Sequence, residues 1–112
     1  MHPDPQASEA FKALGDPIRW RIVCELAEVD ELAFSTMEEV LPFSKAAVSY
    51  HTRILAQAGL LTVRKQGRHY FYALRRELVR DLVQQVRELA PDEAARSRAS
   101  ELRRADPGSP TP

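Results

Sequence analysis

The spacing of apolar residues changes twice along this chain, and these changes limit the folds it can adopt. Up to Ala58, apolar residues recur every three or four positions, as on one face of a helix. Gly59 interrupts this pattern, and two runs rich in β-branched and aromatic residues follow, LLTVRK and HYFYAL, separated by QGR. Such runs predict an antiparallel hairpin. Helical spacing returns from Arg75, so the sequence predicts helices on both sides of one hairpin.

Glycine and proline residues divide the helical part into separate elements. Gly15 ends the first helix, and Asp16 with Pro17 begins the second as N-cap and first helical residue. Pro42 keeps the residue before it out of the helical conformation, and Ser44 is a suitable N-cap for the next helix. Helices are predicted over residues 7–14, 17–29, 36–41, 45–58 and 75–89.

A short helix, a tight turn and a second helix form a helix-turn-helix, and a hairpin after it forms a wing. The predicted fold class is mainly α (α+β), a winged helix-turn-helix of about five helices with a two-stranded β-hairpin wing. Residues 1–6 are assigned to a flexible N-terminus and 7–90 to one DNA-binding and dimerisation domain. Residues 91–112 lose aromatic and β-branched residues and end in prolines, so they are predicted to be a disordered tail.

Ionisable residues are unevenly distributed along the chain. The 112 residues carry no net charge, with 16 basic and 16 acidic side chains. Residues 44–76 nevertheless contain seven lysines and arginines and no acid, whereas residues 1–43 contain nine acids and three bases. A positive segment of this kind predicts a negatively charged partner such as double-stranded DNA. The alternative is an ordinary solvated basic face.

The helix over 45–58 is expected to place its N-terminal part in the major groove. The small Ala46 permits close approach and can contact thymine methyl groups, and the amides after the Ser44 cap suit a phosphate oxygen. The wing is expected to follow the DNA backbone or enter a minor groove. The predicted DNA-binding residues are Ser44, Lys45, Ala46, Ser49, Tyr50, His51, Arg53, Arg64, Lys65, Gln66, Arg68 and His69. A bond within the motif is an equally good interpretation of His51.

Two apolar stripes exceed what a chain of this size is expected to cover alone. They lie on the first and last predicted helices and predict a homodimer interface of Phe11, Leu14, Leu78, Leu82, Val86 and Leu89. The alternative is that both stripes pack only on the core of their own chain.

Several function classes find no support in the sequence. No apolar run is long enough for a membrane span, and the N-terminus does not resemble a signal peptide. There is no glycine-rich phosphate loop, no nucleophile with a plausible base and no carboxylate pair, so an enzyme is not expected. No cofactor and no metal site are predicted, because the three histidines and the single Cys24 do not fall at ligand spacing.

A single cysteine favours a reducing, cytoplasmic setting. Cys24 is interpreted as a small buried hydrophobic residue rather than a redox sensor. The aromatic residues Trp20, Tyr70, Phe71 and Tyr72 are expected to serve the core and the strand pairing.

Three motifs resemble those of the ArsR/SmtB family of bacterial winged-helix repressors. They are GDPIRWRI, SKAAVSYHTRILAQAGLL and RKQGRHYFY, between Phe11 and Leu89. The resemblance implies a cytoplasmic homodimer, paired through its first and last helices, that binds an operator and leaves it when an effector is sensed. The effector stays unidentified, with a small molecule possible. Thr52 stands where the family more often has leucine.

The family resemblance also implies where a metal would be sensed. Many relatives use a Cys-x-Cys box on the helix before the recognition helix, and others use Asp and His pairs on the last helix. The corresponding segments STMEEVL and RRELVRDLVQQVRELA contain neither cysteine nor histidine, so neither site is expected.

The sequence therefore predicts a DNA-binding regulator, a repressor that binds an inverted-repeat operator. Two alternatives stay open. One is a winged-helix protein-interaction module that has lost DNA binding, and the other is a regulator with a non-standard metal or a redox sensor at Cys24.

Overall fold

A computed structural model describes residues 4–105 of the chain. The helices are α1 (Pro5–Leu14), α2 (Pro17–Ala27), α3 (Phe34–Val40), α4 (Lys45–Gln57), α5 (Arg76–Leu89) and α6 (Glu93–Ala105), and the strands are β1 (Leu32–Ala33), β2 (Leu61–Gln66) and β3 (His69–Leu74). This architecture confirms the predicted winged helix-turn-helix, with α3 and α4 as the helix pair and β2–β3 as the wing. Within the described range, no helix is both long and apolar enough to cross a bilayer.

Side-chain caps fix where the helices begin. The Asp4 carboxylate accepts a hydrogen bond from the Gln6 backbone amide, and α1 begins at Pro5, two residues before the predicted start at residue 7. Asp16 and Ser44 cap α2 and α4, as predicted. Residues 5 and 6, assigned to a flexible N-terminus, therefore belong to α1, and residues 1–3 lie outside the described part of the chain.

The chain divides into two compact units between Leu82 and Val83. The core of the first unit is formed by all five helices that it contains in whole or in part, together with the wing's base. Its fully buried large side chains are Ile22, Leu26, Met37, Val48, Thr52, Leu55 and Leu60. The second unit comprises the end of α5 together with α6. There Val83, Val86, Leu89 and Leu102 are all exposed.

A third strand extends the sheet beyond the predicted hairpin. β1 pairs antiparallel with β3, placing Leu32 opposite Tyr72 and Ala33 opposite Phe71, in the order β1–β3–β2. No strand was predicted between residues 29 and 36, because a pairing of only two residues leaves no alternating pattern in the sequence. Phe34 follows directly and packs 6.2 Å from the Tyr72 ring, so α3 begins earlier than predicted.

The predicted burial of Cys24 and the predicted core role of Trp20 are wrong, whereas Tyr70 serves the strand pairing, opposite Lys65, without being buried. Trp20 is 52% exposed, Tyr70 is 45% exposed, and Cys24 lies exposed on α2. α2 directs Ile22 into the core, and residues two positions before or after it project to the opposite side, since each residue turns the helix by about 100°. Tyr72, in contrast, packs against the core as expected.

Two of the six predicted dimer residues have no surface to offer a partner. Leu78 and Leu82 are 6% and 2% exposed in the single chain and belong to its own core, which is the alternative the sequence left open. Leu14 is partly buried against the same core. Phe11, Val86 and Leu89 stay exposed.

The predicted disorder from residue 91 onward is wrong for most of that segment. α6 covers Glu93–Ala105, and the Asp92 carboxylate accepts a 2.7 Å hydrogen bond from the Ala95 amide at its start. Alanine and arginine have high helix propensity, so a segment can form a helix even when it lacks β-branched and aromatic residues. The composition of residues 91–112 therefore did not exclude a helix. Residues 106–112 lie outside the described range.

The two glycines that follow helices predict opposite effects of one substitution. Gly59 has φ +83°, and an added Cβ would lie 3.2 Å from the side-chain nitrogen Nε2 of Gln6. Gly59→Ala is therefore expected to destabilise the fold by about 1–2 kcal/mol. Gly15 has φ −76°, and its Cβ would meet only ordinary contacts, so Gly15→Ala is expected to stabilise by about 0.4–1 kcal/mol. Urea unfolding measures both, and equal losses of stability would contradict this account.

Candidate nucleic-acid interface

The orientation of α4 is fixed by its inner face. Val48 and Leu55 are 0% exposed and Thr52 is 1% exposed. The Thr52 hydroxyl donates to the backbone carbonyls of Val48 and Ser49, at 2.8 and 3.0 Å, so this buried polar group is satisfied within its own helix. The opposite face of α4 therefore points to solvent.

The first turn of α4 is open to a ligand. The Ser44 hydroxyl oxygen accepts a hydrogen bond from the Ala47 amide at 3.1 Å, and Ser44, Lys45 and Ala46 are exposed. The amides at the start of a helix have no partner within it and carry the positive end of its dipole. The free amides at this end of α4 can donate hydrogen bonds to a phosphate oxygen.

A groove of about 690 Å³ runs between α3, α4 and the wing. Five of the predicted DNA-binding residues line it, Lys45, Ser49 and Arg53 from α4 and Arg68 and His69 from the wing, and Glu38 of α3 lies among them. The structure thus brings two distant parts of the predicted interface to one surface. Among the residues described, none of the three cations in this groove forms an ion pair.

The wing has two chemically different faces. Its strands turn through Gly67, at φ +61°, and Arg68, with Gln66 opposite His69. Val63, Tyr70 and Tyr72 line the groove beside α4. Side chains alternate across a strand, so Arg64 and Phe71, which are cross-strand partners, lie on the other face.

Arg64 and Gln66 are already bonded within the protein. Arg64 forms two hydrogen bonds with the Glu31 carboxylate, at 2.6 and 3.0 Å, and a third with Gln66 at 2.7 Å. The segment that lacks acids in the sequence therefore has an acid beside it in space. Arg64 is therefore bonded within the unbound protein, whereas Gln66 only accepts through its Oε1. The DNA-binding roles of both residues stay predictions.

His51 is bonded within the protein, as one of its two predicted interpretations has it, but its partner is Arg19 of α2 and not a residue of the α3–α4 pair. Its Nδ1 lies 3.1 Å from Arg19 Nη1, and its side chain is only 13% exposed. A guanidinium group only donates hydrogen bonds, so Nδ1 accepts and the ring proton is on Nε2. Arg19 also donates to the Ala13 carbonyl at 2.7 Å and thereby links the end of α1 to α4.

The Asp16 carboxylate lies beside this contact. One of its oxygens accepts hydrogen bonds from the Ile18 and Arg19 amides, at 2.9 and 3.1 Å, and is 3.8 Å from His51 Nδ1. The bond from the Arg19 amide lowers the pKa of Asp16 below its ordinary value, and the Arg19 charge and the Ile18 amide act in the same direction, against desolvation.

Sequence reasoning missed three residues that shape this surface. Glu31 and Arg19 reach their partners over 33 and 32 residues, and no local spacing indicates such contacts. Glu38 of α3 was treated only as a helix residue, although it lines the groove. A strand assignment for β1 would have placed Glu31 next to the wing.

No group of three or more His, Cys, Asp or Glu side chains within residues 4–105 is arranged to hold a metal ion. The cysteine and histidine side chains, which are the usual ligands of zinc, lie on different elements: Cys24 on α2, His51 on α4 and His69 on the wing.

Sequence comparisons show that the chain is similar to known transcriptional regulators. Residues 16–63, from the α2 cap into β2, match the family described as bacterial regulatory protein, arsR family. An uncharacterised HTH-type transcriptional regulator of Methanocaldococcus jannaschii is 34% identical over 84 residues, which are 75% of this chain and 94% of that protein. A transcriptional repressor SmtB homolog of Synechocystis is 36% identical over 81 residues, 72% of this chain but only 61% of that protein.

A solved structure supports the same fold. The ArsR-like transcriptional regulator from Rhodococcus sp. RHA1 superposes with a TM-score of 0.72 at 25% identity, covering 91% of this chain and 94% of that one.

The lowered pKa of Asp16 predicts a defined acid dependence. The ionised carboxylate stabilises the fold above its ordinary pKa of 3.8, and this contribution is lost as the pH falls through the lower pKa of the folded state. The difference in Tm between the wild type and Asp16→Asn should be constant from about pH 5 to 7 and shrink below about pH 4. Thermal unfolding followed by circular dichroism measures it. A difference that stays constant into strong acid would contradict the assigned contacts.

Proposed function

The chain belongs to the ArsR family of bacterial regulatory proteins, and we propose that it acts as a cytoplasmic repressor that binds an inverted-repeat operator as a homodimer. It is a DNA-binding transcriptional regulator and not an enzyme. One observation carries the proposal: Lys45, Arg53 and Arg68 line a single groove and form no ion pair in the described part of the chain. Cations that have no ion-pair partner on one surface favour the binding of a DNA phosphate backbone there.

In the proposed complex, the N-terminal half of α4 enters the major groove. The two recognition helices of a dimer would reach successive grooves about 34 Å apart. Ser49 and Tyr50 are on the accessible side and can contact base edges, while Ala46 allows close approach and can contact thymine methyl groups. Ser44 and Lys45 are placed for the phosphate that flanks the groove.

The wing supplies contacts that do not depend on base sequence. Lys65, Arg68 and His69 are exposed around the tip, and a thin ribbon with cations fits a minor groove or the backbone beside it. His51 belongs to the supporting contacts in this proposal, since Arg19 occupies its Nδ1.

The homodimer is proposed from apolar residues that a single chain leaves uncovered. Phe11 on α1 is 40% exposed, and Val86 and Leu89 on α5 are 49% and 74% exposed. A partner chain that covered them would remove apolar surface from water. Leu78 and Leu82 are not included, because they are already buried.

The effector is proposed to differ from the metals that act at the family's two usual sites. α3 reads FSTMEEV and offers no thiolate, and the α5 sequence RELVRDLVQQVREL offers no imidazole. Zinc and thiophilic metals prefer those ligands. A small molecule is therefore the expected effector class, and its identity is not specified by these residues.

Removal of Arg68, an exposed cation at the wing tip, should change the salt dependence of DNA binding. Arg68→Gln is expected to weaken binding to all DNA sequences alike and to reduce the slope of log K against log salt by about one. Arg21→Gln is the matched control, because Arg21 pairs with Glu25 on α2 outside the groove. Fluorescence anisotropy over a salt series measures both slopes. If both variants gave the same slope as the wild type, Arg68 would make no phosphate contact.

A charge placed on the exposed side of α5 should separate the protomers. Val86→Glu is expected to sediment as a monomer at micromolar concentration and to bind the operator on the order of 100-fold more weakly, because the two half-sites are no longer linked. Gln84→Glu adds the same charge at an exposed polar position and should stay dimeric. Sedimentation velocity decides the matter, and a monomeric wild type would refute the dimer.

A further inference from the structure

The contact between Glu31 and Arg64 joins two edges of the sheet. Arg64 Nη2 donates to Glu31 Oε1 at 2.6 Å and Nε donates to Oε2 at 3.0 Å, so the pair is bidentate. Nη1 donates to the Gln66 side chain at 2.7 Å, and each guanidinium nitrogen therefore has a partner. Bidentate pairs of this kind fix the relative orientation of both side chains.

The pair crosses the middle strand of the sheet. Arg64 on β2 is opposite Phe71 on β3, and Phe71 is opposite Ala33 on β1. Glu31 lies two residues before Ala33 and thus on the same face. The guanidinium carbon is 4.4 Å from the centre of the Phe71 ring, so the ion pair is closed over an aromatic side chain.

This row is also the place where the sheet narrows. β1 pairs only with residues 71 and 72 of β3, so residues 65–70 form a two-stranded tip without a third strand. Isolated two-stranded hairpins are only marginally stable. The last row supported from both sides is the one that contains Arg64.

The ionisation of the two groups agrees with a closed pair. The hydrogen bond from Arg64 lowers the pKa of Glu31, and the same bond raises the pKa of Arg64. Both groups are charged at neutral pH, although each is partly exposed, with side chains 35% and 50% accessible.

We propose that Arg64 is a positioning residue that, through Glu31, sets the direction of the wing tip for DNA binding. The inference rests on the proposed function, because it assumes that the tip contacts DNA. In this role Arg64 does not pair with a DNA phosphate, and Glu31 favours DNA binding because it holds Arg64 in place. The competing role makes Arg64 a phosphate ligand that Glu31 withholds from DNA.

Two measurements separate these roles. The variants are Glu31→Gln, Arg64→Gln and their combination, with Glu28→Gln and Arg68→Gln as matched controls for loss of an acid and of a wing cation. Glu28 is exposed and forms no ion pair within residues 4–105. Amide hydrogen exchange of residues 61–74 is measured without DNA, and operator affinity is measured by anisotropy over a salt series.

The positioning role predicts a common pattern for Glu31→Gln and Arg64→Gln. Each should speed amide exchange in the wing and weaken operator binding by about two- to five-fold, as for other partly exposed ion pairs. The slope of log K against log salt should stay at the wild-type value, and the double variant should lose no more than either single one. The Glu28→Gln control should leave exchange and affinity unchanged.

Other results would overturn the proposal. A slope reduced by about one in Arg64→Gln, as expected for Arg68→Gln, would make Arg64 a phosphate ligand. Tighter binding by Glu31→Gln would make Glu31 a competitor of DNA. If the wild type showed no preference for operator DNA, the proposed function would fail, and the exchange data would then decide alone whether the pair holds the wing.

Discussion

The placement of the whole candidate interface depends on the burial of one side of α4. Val48, Thr52 and Leu55 are sealed in the core, and a helix cannot turn about its axis without exposing them. Lys45, Ser49 and Arg53, spaced four residues apart, are consequently held on the row that lines the groove. Thr52 fits this arrangement although it is polar, because its hydroxyl bonds to carbonyls of its own helix and leaves no demand on a neighbour.

Charge is separated in the sequence more completely than in space. Folding brings Glu38 to the edge of the groove and Glu31 to the back of the wing, beside a segment that has no acid of its own. The two carboxylates have different consequences. Glu31 pairs with a cation on the face that looks away from α4, whereas Glu38 lines the groove and would repel a phosphate placed beside it. The cations of the groove and of the wing tip, Lys45, Arg53, Lys65 and Arg68, rather than all seven of the segment, are thus the set proposed to contact DNA.

Periodicity and caps were sufficient to predict α2, α4, α5 and the hairpin, because each has a long pattern or an unambiguous start. They failed where a structure depends on distant partners. β1 is two residues of backbone pairing without a side-chain signature, and the His51 contact requires Arg19 from another helix. They also failed where a pattern was ambiguous, as for Trp20 and Cys24, which are apolar by type but lie opposite the buried side of α2. Disorder was predicted for residues 93–105 from their composition alone, and that prediction failed because a capped segment rich in alanine and arginine forms α6. A lack of β-branched and aromatic residues does not exclude a helix.

The central claim is that DNA is bound by one surface, formed by the start of α4 and the tip of the wing. Titration of the ¹⁵N-labelled protein with operator DNA, followed by chemical-shift perturbation, tests it most directly. The account predicts the largest shifts for the amides of residues 44–53 and for the side chains of Lys65 and Arg68, with little change at the Arg64 Nε signal. Dominant shifts on α2 and α3, or none at the start of α4, would contradict it.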